Sequence, residues 1–185
     1  AVSQVLGRAM QKGQVVTLVQ GSFGASRTSE VVVAANPAPE MKHWDDCQEL
    51  PYIKGVTPEF MRYLAMRWSV GGMPFTGNKS RDMGGWVRLR GDGEGELVSE
   101  AHILALVDAW PPSLLSHLKK PAAGSTLTWT IEFVQPLLVL STLDWCKYLV
   151  DIEHAADGYG HAAANLWSED GQLIAMSRQT VTIFA

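Results

Sequence analysis

Cysteine is scarce in this chain. The 185 residues include two cysteines, Cys47 and Cys146, and no Cys-x-x-Cys pair. Two cysteines are too few for a disulfide framework, so we expect free thiols in a cytoplasmic protein. The five histidines show no spacing typical of metal ligands. The sequence therefore predicts neither a bound metal nor a cofactor.

Long hydrophobic runs and clusters of positive charge are also missing. No apolar run reaches the roughly 18 residues that a membrane-spanning helix requires. The net charge is −4, and the 15 lysines and arginines form no continuous basic segment. These absences argue against a membrane surface and against nucleic acid as partners.

The chain does have enough hydrophobic residues to fold, at 46% of the total. Its length suits one generous domain, or one domain with part of another. Residues 1–11 have apolar side chains at helical spacing and are predicted to form a helix. Residues 14–20 and 29–34 are predicted to be two strands of a hairpin, with a turn at 21–24. Residues 36–54, which contain several prolines, are predicted to be a linker.

Residues 55–185 have the pattern of an α+β domain. Two strands are expected near residues 60–68 and 86–90, with a glycine-rich loop at 71–85 between them. A helix is expected from Ser99, a suitable N-cap, to Trp110, where Pro111 and Pro112 end it. Four further strands are predicted at residues 125–135, 145–155, 159–167 and 173–184. Short connections between these strands favour an antiparallel sheet, because parallel pairing requires crossovers.

Two polar residues stand out in apolar elements. Asp108 lies inside the predicted helix, and Gln179 lies in the final strand. The strand from Thr126 to Phe133 alternates strictly, which predicts that Leu127 and Trp129 share its apolar face with Ile131 and Phe133. A carboxylate that a helix places near a partly polar sheet predicts a site that binds water beside an apolar pocket.

The segments His102–Pro112, Ser125–Leu127 and Gly171–Gln179 resemble acyl-CoA thioesterase II and its TesB-like relatives. The resemblance covers about residues 55–185. It implies the hotdog fold, in which an antiparallel sheet wraps around a central helix, and it implies two such repeats in one chain. Residues 1–35 would then be the remnant of an incomplete first repeat. On this basis we expect that a disordered stretch near residues 10–14, and the true start of the chain, are absent from the sequence.

The resemblance also implies an activity and a site. The family hydrolyses acyl-CoA thioesters, and its catalytic aspartate, threonine and glutamine correspond to Asp108, Thr126 and Gln179. Coenzyme A would be part of the substrate, and a homodimer or a larger homo-oligomer is expected. One departure is clear: better-known members carry an Asp-His pair where this chain has Thr128-Trp129. Substrate preference, including acyl chain length, is therefore open.

Other interpretations of these residues remain. Asp108 alone is equally well explained as a cap on the turn after Pro112, and Gln179 as a structural hydrogen-bonding residue. Two other functions are open: a non-catalytic acyl-binding protein and a hotdog dehydratase, which usually needs a histidine beside an acid. A Cys146–His154 pair is rejected, because eight strand residues separate the two by about 26 Å. Lys79 and Arg81 are weak candidates for contacts with the phosphates of coenzyme A.

Overall fold

The computed structural model describes residues 2–185. The chain forms two compact units, and the boundary along the chain lies between Ala35 and Asn36. Across the described residues, no helix combines the length and the apolar character that crossing a bilayer would require. The two units are described separately below.

The first unit is a β-hairpin. Strand β1 (Val2–Gln11) pairs antiparallel with β2 (Gln14–Gly24). Lys12 and Gly13 connect them with φ angles of 49° and 79°, and positive φ at both central positions is typical of a two-residue hairpin turn.

Two predictions for the first unit are wrong. Residues 2–11 of the predicted helix form a strand, residue 1 lies outside the described residues, and residues 29–34 form no regular strand. The side chains of both strands are almost entirely exposed, so the local hydrophobic spacing reflects no buried helical face. The partner strand and the turn at Lys12-Gly13 decide the structure here, and neither is part of the helical pattern.

The second unit contains a six-stranded antiparallel sheet. Its strands are β3 (Leu64–Val70), β4 (Asp82–Leu89), β5 (Ala123–Phe133), β6 (Cys146–Ala156), β7 (Tyr159–Ser168) and β8 (Leu173–Phe184), in the spatial order β3-β4-β6-β7-β8-β5. Helix α1 (Glu100–Asp108) lies in the chain between β4 and β5. The four predicted C-terminal strands and their antiparallel pairing are confirmed.

Helix α1 packs its apolar face on the sheet. Ile103, Leu106 and Val107 are buried at helical spacing and belong to a cluster that includes inward-facing residues of five strands. At its start, Ser99 donates its backbone N–H to His102 Nδ1 at 3.1 Å, so this histidine serves the helix cap. The helix ends at Asp108, before Pro111, as the two prolines predict.

Part of the predicted linker is folded onto the sheet. Residues Trp44–Asp46 form a short 3₁₀ helix, and Cys47 is buried with Ala65, Trp86 and Trp145. Since Ala65 alternates with the core residues Leu64 and Met66, this second cluster covers the opposite face of the sheet. The second unit therefore begins well before residue 55, and residues 41–50 are not a linker.

The first two strand predictions also need correction. Phe60 lies in a 3₁₀ helix, Glu59–Tyr63, and β3 begins only at Leu64. The predicted glycine-rich loop contributes Gly84 and Gly85 to β4. A Cβ atom on Gly84 would lie 2.1 Å from the carbonyl oxygen of Tyr148, so glycine permits the close approach of β4 and β6.

Candidate active site

The end of α1 carries the predicted carboxylate into a large apolar cavity. This cavity has a volume of about 620 Å³, and its lining is dominated by methionine, proline, aromatic and aliphatic side chains. Asp108, Thr126 and Gln179 all line it, although they come from three separate elements. The structure therefore brings together the three residues that the sequence singled out.

Thr126 and Gln179 are in direct contact across two neighbouring strands. Gln179 Nε2 donates a hydrogen bond to Thr126 Oγ1 at 2.8 Å. The second amide hydrogen and the carbonyl oxygen of Gln179 remain available for another group. The amide is thus fixed by one bond and can orient a water or a carbonyl with the rest of its hydrogen-bonding capacity.

A β-bulge places Thr126 on the cavity side. Thr126 pairs with Val181 and Thr128 pairs with Thr180, so Leu127 is an extra residue in β5. Cross-strand partners share a face of the sheet, and Val181 is buried beside Gln179. Leu127 is 60% exposed, so the prediction that it shares the inner face with Trp129 is wrong.

Asp108 lies in an environment that disfavours its charge. Desolvation by burial raises the pKa of the Asp108 carboxyl above its ordinary value. The carboxyl also lies at the C-terminal end of α1, where unpaired carbonyls disfavour an anion. Asp108 nevertheless remains an exposed residue. A carboxylate with a raised pKa and access to water is suited to accept a proton near neutral pH.

The capping interpretation of Asp108 finds no support in these contacts. Within residues 2–185, the Asp108 side chain has no hydrogen-bond partner in the turn after Pro112.

The other candidate residues are engaged elsewhere. Burial raises the pKa of the Cys146 thiol to about 12, which makes it a poor nucleophile. Arg81 lies 3.4 Å from the Asp151 carboxylate and also donates to the backbone oxygen of Glu153. Among the described residues, no group of three or more histidine, cysteine or acidic side chains is arranged to hold a metal ion.

The comparisons with known proteins identify the family. A family model described as the acyl-CoA thioesterase C-terminal domain matches residues 44–183, about three quarters of the chain. The chain belongs to this family. The matched region starts at residue 44, which agrees with the packing of Trp44 and Cys47 on the sheet. Among curated protein sequences, none matches this chain.

Three solved structures with a similar fold are longer than this chain, which covers 66–68% of their length. A hotdog protein of unknown function from Alicyclobacillus acidocaldarius has a TM-score of 0.79 at 23% identity, over 100% of this chain and 68% of its own. The TesB protein of Mycobacterium avium subspecies paratuberculosis has a TM-score of 0.72 at 16% identity, covering 100% and 66%. Acyl-CoA thioesterase II of Mycobacterium marinum has a TM-score of 0.66 at 14% identity, covering 99% and 68%. These likenesses establish the hotdog fold, and the chain spans about two thirds of each relative.

Several residues that line the site were not found from the sequence. Trp110, Phe60 and Met61 line the large cavity, and Ser113 and Tyr148 line a smaller one that Asp108 also lines. Ser113 follows two prolines in an irregular segment, where no periodic pattern indicates which way a side chain points. The proline pair itself was the available signal, because it forces the chain to turn beside the end of α1.

Proposed function

We propose that this chain hydrolyses acyl-CoA thioesters with a water molecule positioned by Asp108, Thr126 and Gln179. One observation carries the proposal: these three side chains line a single large apolar cavity, and Gln179 is bonded to Thr126. Membership of the acyl-CoA thioesterase family supports the same reaction. The expected oligomer and a cytoplasmic location remain predictions.

The proposed reaction needs no covalent intermediate. Asp108 accepts a proton from the water while the water oxygen forms a bond to the thioester carbonyl carbon. The carbon–sulfur bond then breaks, and the departing thiolate of coenzyme A takes the proton from Asp108. Gln179, held by Thr126, donates to the water or to the developing oxyanion. The products are the free acid and coenzyme A.

The large cavity has the character expected for an acyl chain. Its lining includes Phe60, Met61, Met66, Trp68 and Met73, which would shield a hydrocarbon from water. Met side chains adapt to irregular shapes, so the cavity tolerates more than one acyl group. We propose that the acyl chain enters this cavity while the nucleotide part of coenzyme A stays outside it.

Replacing Thr126 by valine tests the proposal directly. Valine keeps the shape of the side chain but removes the oxygen that accepts the Gln179 amide, which leaves that donor unpaired. We expect kcat/KM to fall about ten- to hundredfold. The measurement is thiol release from a panel of short to long acyl-CoAs by wild type and variant.

Thr130→Val is the matched control for this substitution. Thr130 lies on the same strand but pairs with Arg178 on the opposite face of the sheet. Its replacement should leave turnover unchanged. Equal losses in the two variants would count against a role for Thr126. If wild type bound acyl-CoA but released no thiol at any chain length, the chain would be an acyl-binding protein. Release of water from a hydroxyacyl thioester would instead indicate the dehydratase.

The pH dependence of the wild-type reaction gives a second test. Asp108 must be deprotonated to accept a proton, so activity falls as the pH drops through its pKa. Because burial raises that pKa, we expect the acidic limb of kcat/KM to lie above about pH 4, the range of an ordinary aspartate. A profile of kcat/KM against pH measures the limb, and a limb at or below pH 4 would argue against Asp108 as the base.

A further inference from the structure

Asp108 also lines a second, much smaller cavity. Its volume, counted as the space open to the centre of a water molecule, is about 20 Å³. A single water fills roughly 10–15 Å³, so the cavity has room for one. Asp108, Trp110 and Gln179 line both cavities, so the small cavity adjoins the large one along these residues.

Two residues on the lining of the small cavity each have a buried polar atom that lacks a partner. Ser113 is 4% exposed and Trp110 is 6% exposed. Neither Ser113 Oγ nor Trp110 Nε1 has a hydrogen-bond partner in the part of the chain that the structure describes. Buried polar atoms are nearly always paired, with protein or with ordered water. Ser177, which also lines the cavity, accepts from Trp129 Nε1 at 2.8 Å and still has a hydroxyl proton to donate.

We propose that the small cavity holds one ordered water, bound by Ser113 Oγ and Trp110 Nε1 and donating to the Asp108 carboxylate. Two to four polar partners are typical for a buried water, and this lining supplies them. Ser113 is then a positioning residue that acts on Asp108 through the water. The kinetic part of this inference rests on the proposed hydrolysis, whereas the water site itself does not.

The expected effect of this water is on the charge of Asp108. A hydrogen bond to the carboxylate favours the charged form, so the water opposes the desolvation that raises the pKa of Asp108. Tyr148, on β6, is the other titratable group on the linings of the two cavities. Burial raises the pKa of Tyr148 far above its ordinary range, and the Asp108 charge adds to this, so Tyr148 stays neutral.

Ser113→Ala tests the water site, with Ser116→Ala as the matched control. Ser116 is also buried on the same 3₁₀ helix, but it donates to the Ser113 carbonyl at 2.8 Å and lines neither cavity. The first readout is an NMR titration of the Asp108 carboxyl carbon. We expect Ser113→Ala to raise this pKa by roughly half to one pH unit and Ser116→Ala to leave it in place.

Turnover and crystallography provide the second and third readouts. Ser113 does not line the large cavity, so Ser113→Ala should lower kcat several-fold at a pH on the acidic limb of the wild-type profile and leave KM unchanged. A high-resolution crystal structure of wild type should show the water. Equal titrations in the two variants, or a dry cavity in the crystal, would overturn the proposal. A wild type that fails to hydrolyse acyl-CoA defeats the proposed function only, because the titration and the crystal still decide the water site.

Discussion

Replacing Asp108 by asparagine is expected to lower kcat for acyl-CoA hydrolysis by about 10²–10⁴-fold. General-base catalysis by a positioned side chain typically contributes this much. Asparagine has nearly the same shape as aspartate, but its amide cannot accept a proton from water at neutral pH. The substitution therefore removes the base and leaves the walls of both cavities in place. Thiol release at saturating acyl-CoA measures the effect.

Glu100→Gln is the matched control for this substitution. Glu100 is an exposed acid in the first turn of the same helix and lines neither cavity. It should retain wild-type kcat, and both variants should keep the wild-type KM. The acidic limb of the pH profile should disappear only in Asp108→Asn. Unchanged turnover in Asp108→Asn would exclude the mechanism, even if the chain proved to be a thioesterase.

The second unit could be predicted from the sequence because its elements bury a regular face. Helix α1 shows Ile103, Leu106 and Val107 at helical spacing, with a capping serine before it and two prolines after it. Strands β6 to β8 are joined by short turns and contain alternating buried residues. At these positions local preference and tertiary burial agree, so the local pattern is sufficient.

The first unit could not be predicted in this way. Its strands bury almost no side chains, so the hydrophobic spacing of residues 1–11 carries no information about a core. Their conformation comes from backbone pairing with Gln14–Gly24. A Lys-Gly turn is also a weaker hairpin signal than Asn-Gly or Asp-Gly. Pairing between strands is a nonlocal property, which an isolated eleven-residue window does not contain.

The candidate site was predicted through a resemblance, and one local pattern pointed against it. Strict alternation would place Thr126 on the face opposite to Trp129 and Gln179. The bulge at Leu127 reverses this and turns the Thr126 hydroxyl toward the cavity. A bulge adds one residue to one strand and leaves little trace in the hydrophobic pattern. Ser113 was missed for a similar reason, because its orientation depends on the turn after Pro112.

Shortening Leu106 to alanine is expected to destabilise the second unit by about 2–5 kcal/mol. Leu106 is 2% exposed and lies between α1 and the sheet. Its truncation removes apolar burial and leaves a cavity that the surrounding strands fill only in part. Because α1 also carries Asp108, the loss affects the element that positions the proposed base. Urea unfolding followed by tryptophan fluorescence measures the change, since all seven tryptophans lie in the second unit.

Leu104→Ala separates burial from helix propensity in this experiment. Leu104 is on the same helix and undergoes the same chemical change, but it is only partly buried. Leucine and alanine differ little in helix propensity, so both variants share that small term. The difference between their free energies of unfolding then reports the packing of Leu106 against the sheet. A loss in Leu104→Ala as large as that in Leu106→Ala would mean that α1 does not face the sheet through Leu106. The placement of Asp108 over the cavity would then fail with it, because the two residues are fixed by the same helical rotation.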